Sequence, residues 1–344
     1  MNALVLTEYK NLSYQKVPKP VITSPTQTLV RIKAASICGS DVHGYDGSTG
    51  RRQPPLIMGH EGSGVIEEVG SMVTNFKVGD RVTFDSTIFC GACPFCKQGL
   101  FNLCDNRRVL GVGCDEYKQD GIFAEYAIIE ERVLFHLPEG LSFEEAAMVE
   151  PAGVAAHALS LASPSLHDDV AVVGAGLIGL LTIKLLRTVT SGKIIALDID
   201  EKRREMALKV GADYAFDSTD PALSRKIMKL TGDLGLKVVY EAVGATAPIQ
   251  TAVSLARKGG TVVLVGNVSP KIELPLQSVV TRQIRLQGSC AINGEYPAVL
   301  KMMADKVLDV TDLISKTAPL SEGKLWFDRL YNKEGDLLKV VLIP

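Results

Sequence analysis

Four cysteines, Cys90, Cys93, Cys96 and Cys104, follow one another with two, two and seven residues between successive thiols. Spacing this tight lets a single loop wrap one tetrahedral metal ion. Four thiolates with no histidine leave no coordination position open, which points to a structural zinc. The loop contains Gly91, Pro94 and Gly99 and little to bury, so bound metal, supplying on the order of 10 kcal/mol or more, is what orders it. Two disulfides would need an oxidising compartment. The chain opens Met1-Asn2-Ala3-Leu4 with no charged segment leading into an apolar signal core, so reduced thiols and a cytoplasmic location are expected. A zinc ribbon that grips nucleic acid shares this spacing. The net charge of -2 offers no broad basic surface, although Arg107 and Arg108 follow the lobe.

With 344 residues, 46% hydrophobic and 22% charged, the chain is long enough for two domains with separate cores. No apolar run reaches the ~20 residues of a membrane helix. Of the seven cysteines, Cys114 and Cys290 are left over once the metal-competent positions are assigned, most simply as reduced thiols.

A second signal lies in Val170-Ala-Val-Val-Gly174-Ala-Gly176-Leu177-Ile178-Gly179. An apolar strand runs into G-x-G-x-x-G, and a largely apolar helix continues from it. Gly174 permits the turn, Gly176 admits a pyrophosphate to the backbone, and Gly179 lets helix pack on strand. Ile194-Ile-Ala-Leu-Asp198 supplies a second strand ending in an acid 19 residues after Gly179, where the fingerprint places a partner for the ribose hydroxyls. Asp198 favours NAD over NADP by repelling a 2′-phosphate. Lys202, Arg203 and Arg204 just beyond could accommodate that phosphate or could form the solvated face of a helix. Further strands at 238–240, 261–265 and 284–286 alternate with helical stretches at 203–210, 223–230 and 247–257, which predicts a doubly wound parallel sheet. The loops carrying Val243 and Gly266 leave its carboxyl edge, where a nicotinamide belongs.

The N-terminal region reads differently. Short β-rich runs at 29–33, 64–69 and 80–84 are separated by glycine and proline turns, as in a small barrel-like domain. Within it lie Cys38-Gly-Ser40-Asp41-Val-His43 and Gly59-His60-Glu61, while Glu150 stands in Val149-Glu150-Pro151 at the edge of the dinucleotide region. A catalytic zinc takes three protein ligands and keeps one position open. Cys38 and His60 provide two. Taken singly, each of these residues reads equally as a buried thiol, a core histidine or a helix-terminal glutamate.

Together the motifs resemble the zinc-dependent branch of the medium-chain dehydrogenase/reductase family over nearly the whole chain. Within that branch, Glu150-Pro151-Ala-Gly-Val154-Ala-Ala-His157 is similar to polyol (sorbitol, L-iditol) dehydrogenases and to relatives acting on sugar-alcohol phosphates. The resemblance implies an α/β protein: a discontinuous GroES-like catalytic domain at 1–150 and 289–344, with its structural zinc lobe at about 88–106, and a Rossmann NAD-binding domain at 151–288. It implies two zinc ions per chain and NAD. Cys38, His60, Glu61 and Glu150 would surround the catalytic zinc, with the direct carboxylate ligand left open between the two glutamates, and Asp41 would orient His60. Ser40 and His43 would relay the hydroxyl proton, the alternatives being a turn-capping hydroxyl and an exposed histidine. The cofactor residues would be Gly174, Gly176, Leu177, Ile178, Gly179, Asp198, Arg203, Val243 and Gly266.

The implied activity is hydride transfer from a secondary alcohol of a polyol to NAD, giving a ketose. A sugar-alcohol phosphate, L-threonine or a vicinal diol are alternative substrates, and a dinucleotide sensor with one zinc is the non-enzymatic alternative. Arg51 and Arg52 are candidate phosphate contacts, or else solvated charges or subunit-contact residues, and Tyr296 is a candidate pocket residue. Lys271-Ile-Glu-Leu-Pro275 is expected to be an edge strand, and relatives that pair such edges across a two-fold axis imply a homodimer or homotetramer. Neither nucleic acid nor membrane is expected as a partner.

Overall fold

The computed structural model describes residues 1–344. Two compact units are present, one formed by Met1–Glu150 with Ile292–Pro344 and the other by Pro151–Ala291. No helix is long and apolar enough to cross a membrane.

The centre of the first unit is the ten-residue strand Gln27–Ser36. Its antiparallel partners are Glu61–Val69, Tyr126–Glu130 and the C-terminal strand Lys339–Ile343. Alternating apolar side chains such as Val30 and Ile32 point into a core shared with Phe84, Phe123 and Phe327. Register decides what the sheet presents. Ser36 lies opposite Glu61 on one side and Val341 on the other, so the end of the chain closes over the end of the Gly59-His60-Glu61 segment. The helix Gly39–Gly44 begins directly after the central strand, with Cys38 as its N-cap.

The second unit is a six-stranded parallel sheet in the order Tyr214–Asp217, Ile194–Asp198, Val170–Val173, Leu236–Glu241, Ala256–Leu264, Arg285–Gly288. Strand order reverses between Val170–Val173 and Leu236–Glu241, the switch point at which such sheets bind dinucleotides. Both central strands are almost wholly buried, as a sheet covered on both faces requires.

Two local expectations need correction, and one strand is added. Residues 271–275 form no strand; the sheet edge is Arg285–Gly288 instead, and Pro275 caps the short helix Leu276–Thr281. The helix expected at 247–257 ends at Leu255, because Ala256 and Arg257 already belong to the next strand. Tyr214–Asp217 is a further strand, too short at four partly exposed residues to stand out in the sequence.

Candidate active site and dinucleotide cradle

Three segments converge on one cluster in the first unit. The ligand atoms of Cys38, His60 and Glu61 lie within 4.8 Å of one another, and His60 and Glu61 are buried. Glu61 comes from the first residue of its strand and Cys38 from the cap of the helix that follows the paired strand, so antiparallel pairing is what joins them. Gly59, at φ +91, has no room for a Cβ against the Phe123 ring, and this turn sets His60 at the head of the strand.

Behind the cluster is a layer of buried charge. His60 Nδ1 faces Asp41 Oδ2 at 3.4 Å, and neither atom has a well-formed hydrogen bond to any other group. Engaging Nδ1 in this way leaves Nε2 as the ring's donor atom for a metal. Burial opposes charge on His60, but Asp41 and the Cys38 sulfur outweigh it and raise its pKa well above the usual imidazole value. Burial likewise opposes ionisation of Asp41, yet His60 and Arg52 hold its carboxyl well below the ordinary carboxylate range.

Arg52 was a candidate phosphate contact, and the structure corrects that expectation. It is 4% exposed, and Nε and Nη2 donate to the same Asp41 oxygen at 3.0 and 2.9 Å. A Cβ at Gly44 would overlap the arginine stem, so glycine there makes its buried path passable. Its charge serves to hold Asp41 against His60.

Lys339 escaped the sequence reading. It is 1% exposed, its Nζ lies 2.5 Å from Glu61 Oε2, and it donates to the Ile37 carbonyl at 3.1 Å. Ser36 donates to the same Glu61 oxygen. Because Oε2 carries both contacts, Glu61 is fixed in orientation. A single lysine inside the apolar run Val340-Val-Leu-Ile343 and Leu337-Leu338 was the available signal, since a lysine buried there requires a carboxylate partner.

Glu150 lies outside the 4.8 Å group. Its Oε1 accepts from the Ser86 hydroxyl at 3.4 Å, and burial together with neighbouring Glu61 pushes its pKa up to about 8. Ser40 and His43 are exposed, three residues apart on one short helix, and hence on the same face. The Ser40 hydroxyl donates to Cys38 Sγ at 3.3 Å and accepts from Arg52 at 3.4 Å.

The four thiols at 90, 93, 96 and 104 also meet, with all sulfurs within 4.8 Å. The amides of Ala92 and Cys93 donate to Cys90 Sγ at 3.4 and 3.3 Å, and these bonds draw its pKa down to about 6. Burial pushes Cys96 up to about 12. Four convergent sulfurs bearing N–H···S bonds, at a spacing compatible with tetrahedral Zn–S bonds of about 2.3 Å, fit a closed zinc site. The Cys38, His60, Glu61 set fits an open one, with three donors and the backing of Asp41.

In the second unit, Gly174 turns at φ +92 and a Cβ there would meet Val243 Cγ2 at 2.5 Å. A Cβ on Gly179 would overlap the Gly174 carbonyl, and Gly244 and Gly266 leave each other's backbones no room for one. The loops after three strands are thus packed main chain against main chain, a cradle only glycine permits. The helix Leu177–Val189 opens with Gly176 as its cap and no side-chain acceptor on its first amides, so Leu177 and Ile178 present free N–H groups suited to phosphate. Asp198 is 7% exposed, and its two oxygens accept from Ala175 at 2.7 Å and Asp200 at 2.9 Å. The Arg203 guanidinium is the nearest group to the space above Gly176. Glu241, unmarked in the sequence reading, is buried and accepts from the amides of Val243 and Gly244 at 2.8 and 2.9 Å, which fixes that loop.

Tyr296 does not offer its hydroxyl to a pocket. It is 1% exposed, donates to the Phe84 carbonyl at 2.6 Å and stacks on Phe135. Arg51 is exposed.

Comparison with known proteins accords with this geometry. Residues 24–139 match the alcohol dehydrogenase GroES-like domain, and residues 178–305 match the zinc-binding dehydrogenase family. The chain is 34% identical to a sorbitol dehydrogenase of Halalkalibacterium halodurans, covering 100% of this chain and 99% of the relative. It is 32% identical to a D-arabitol-phosphate dehydrogenase of Enterococcus avium, over 97% and 94% of the two chains. A zinc-binding dehydrogenase structure from Sinorhizobium meliloti 1021, bound to NADP, superimposes with a TM-score of 0.90 at 30% identity and covers 100% of this chain and 99% of its own. The chain therefore belongs to the zinc-dependent, dinucleotide-using alcohol dehydrogenases of the medium-chain dehydrogenase/reductase family.

Proposed function

We propose that the protein oxidises a secondary hydroxyl of a polyol to a ketone with NAD as hydride acceptor. The observation that carries this is the convergence of Cys38, His60 and Glu61 with Glu150 nearby, in a chain that also has the glycine cradle. A zinc ion held by the first three would supply a Lewis acid that makes the substrate hydroxyl acidic, and NAD in the cradle would take the hydride.

This chain's residues do the remaining work. Asp41, braced by Arg52, keeps His60 oriented. Lys339 and Ser36 hold Glu61 in place. Glu150, in contact with the Ser86 hydroxyl, is a second carboxyl group beside the site for the additional hydroxyls of a polyol. Ser40 takes the hydroxyl proton at Oγ as it gives up its own, and His43 on the same exposed helix face carries that proton to solvent.

NAD is favoured over NADP because the buried Asp198 carboxylate stands at the strand end where a 2′-phosphate would sit. The exposed edge strand Arg285–Gly288, together with Leu276 and Val280 at 63% and 67% exposure, supports assembly of identical chains, which light scattering would measure as a dimer or tetramer.

The test is NADH formation by zinc-loaded protein across a panel of alditols, with zinc counted per chain. Turnover with two zinc ions bound, lost in Cys38→Ala while one zinc remains, is the expected result. A fully zinc-loaded protein that reduces NAD with no alditol would overturn the proposal.

A further inference from the structure

Beside the thiolate lobe, within the first unit, is a cleft of about 640 Å³ bordered by Arg51, Arg107, Arg108 and Arg132. Its volume is that of a small-molecule site. Four guanidinium groups share it with two carboxylates, Asp105 and Glu116, on a chain whose net charge is -2. Positive charge is therefore concentrated here against the overall balance. The arginines are not equivalent. Arg107 gives one Nη to the Asn102 carbonyl at 2.8 Å, and Arg51 lies near Glu116 and helps hold its carboxyl below the usual value, after hydrogen bonds from Cys114 and its own backbone. Arg132 lies over the face of the Phe89 ring, 5.3 Å from its centre, a contact that braces the guanidinium while leaving its in-plane donors available. Arg108 is exposed on the two-residue strand Arg108–Val109. Neither Arg108 nor Arg132 makes an ion pair with a carboxylate.

Two chain segments tie this cleft to the catalytic cluster. Arg51 borders the cleft, and the next residue, Arg52, grips Asp41. Ser86 contacts Glu150, and the chain then runs through the strand Thr87–Ile88 to Ile88, Phe89 and Cys90 at the cleft. Three residues of extended chain span roughly 10 Å. With C–C bonds of about 1.5 Å, that is the reach of an extended pentitol or hexitol bearing a terminal phosphate.

We propose that the arginine cleft receives the terminal phosphate of the substrate, so that the polyol turned over is a sugar-alcohol phosphate oxidised at a carbon remote from the ester. This rests on the polyol dehydrogenase reading above. In the reaction the carbinol C–H leaves as hydride to NAD, the O–H proton passes through the Ser40 hydroxyl, which gives up its own proton towards His43 and solvent, a C=O bond forms and the phosphate ester is unchanged. Arginine suits the task because its planar fork binds phosphate oxygens in pairs.

The test compares kcat/KM for D-arabitol and galactitol with their phosphate esters, in wild type, Arg108→Ala, Arg108→Lys and Arg132→Ala. The expected result is a strong preference for the esters. Each alanine variant should lower it by about tenfold to hundredfold through KM, Arg108→Lys should restore part of it, and turnover of the free alditols should stay unchanged. Esters and free alditols turned over equally, or a preference that survives both alanine variants, would overturn the cleft assignment and leave the polyol dehydrogenase standing. No turnover of either class by zinc-loaded protein would overturn both.

Discussion

The two metal-competent clusters of this chain are built in opposite ways. The thiolate lobe draws all four sulfurs from 15 consecutive residues, and its own loop amides polarise them. The Cys38, His60, Glu61 cluster is assembled by strand pairing and held by Arg52, Asp41, Ser36 and Lys339, the last 278 residues along the chain from Glu61. A closed site needs only convergent thiolates. An open site has to fix the orientation and charge of each donor while leaving one face free, and that demands a second layer of buried partners.

The largest expected effect tests the lobe as a local unit. Cys96→Ser should remove zinc worth on the order of 10 kcal/mol to the ordering of that loop, lowering the melting temperature and making the loop protease-sensitive while the catalytic zinc stays bound. A stable variant that has lost only the catalytic zinc would invert the comparison.

Next is the distant cluster. Lys339→Met leaves Glu61 buried without its cation and should cost about 3–5 kcal/mol in chemical denaturation. The double variant Lys339→Met, Glu61→Gln should recover most of that stability but not alcohol turnover. If Lys339→Met alone is neutral, the pair does not hold the cluster.

A smaller effect is expected from Arg52→Ala, which frees Asp41. Catalytic zinc should bind about 10- to 100-fold more weakly, measured by competition with a chelator, with lobe zinc unaffected. Arg52→Lys should rescue only in part, since both contacts to Asp41 come from one planar guanidinium.

The smallest effect concerns Asp85, whose pKa is pushed up to about 6 by burial. A carboxyl raised in the folded state favours its protonated form there, so it costs stability as pH rises from the ordinary carboxylate range to about 6, and the cost stays constant above that. Asp85→Asn should be more stable than wild type at pH 7, with the gap in melting temperature closing towards pH 4. A gap independent of pH would mean that ionisation of Asp85 is not what the fold opposes.

What the sequence by itself determined is whatever is local. The cysteine spacing specified the lobe, and strand, glycine turn and acid specified the dinucleotide cradle at Gly174, Gly176, Gly179 and Asp198, because a metal loop and a phosphate turn are each made by a few neighbouring residues. Cys38, His60 and Asp41 could be named as candidates from composition and resemblance. The tertiary structure alone decided that Glu61, not Glu150, joins them within 4.8 Å, that Arg52 serves Asp41 where its neighbours in sequence left a phosphate contact, a solvated charge or a subunit contact open, and that Tyr296 is committed to the Phe84 carbonyl. Lys339 is the plainest case. Its role comes from the register of the last strand against Gln27–Ser36, and pairing between segments about 300 residues apart is set by the shared core, which no window of sequence contains.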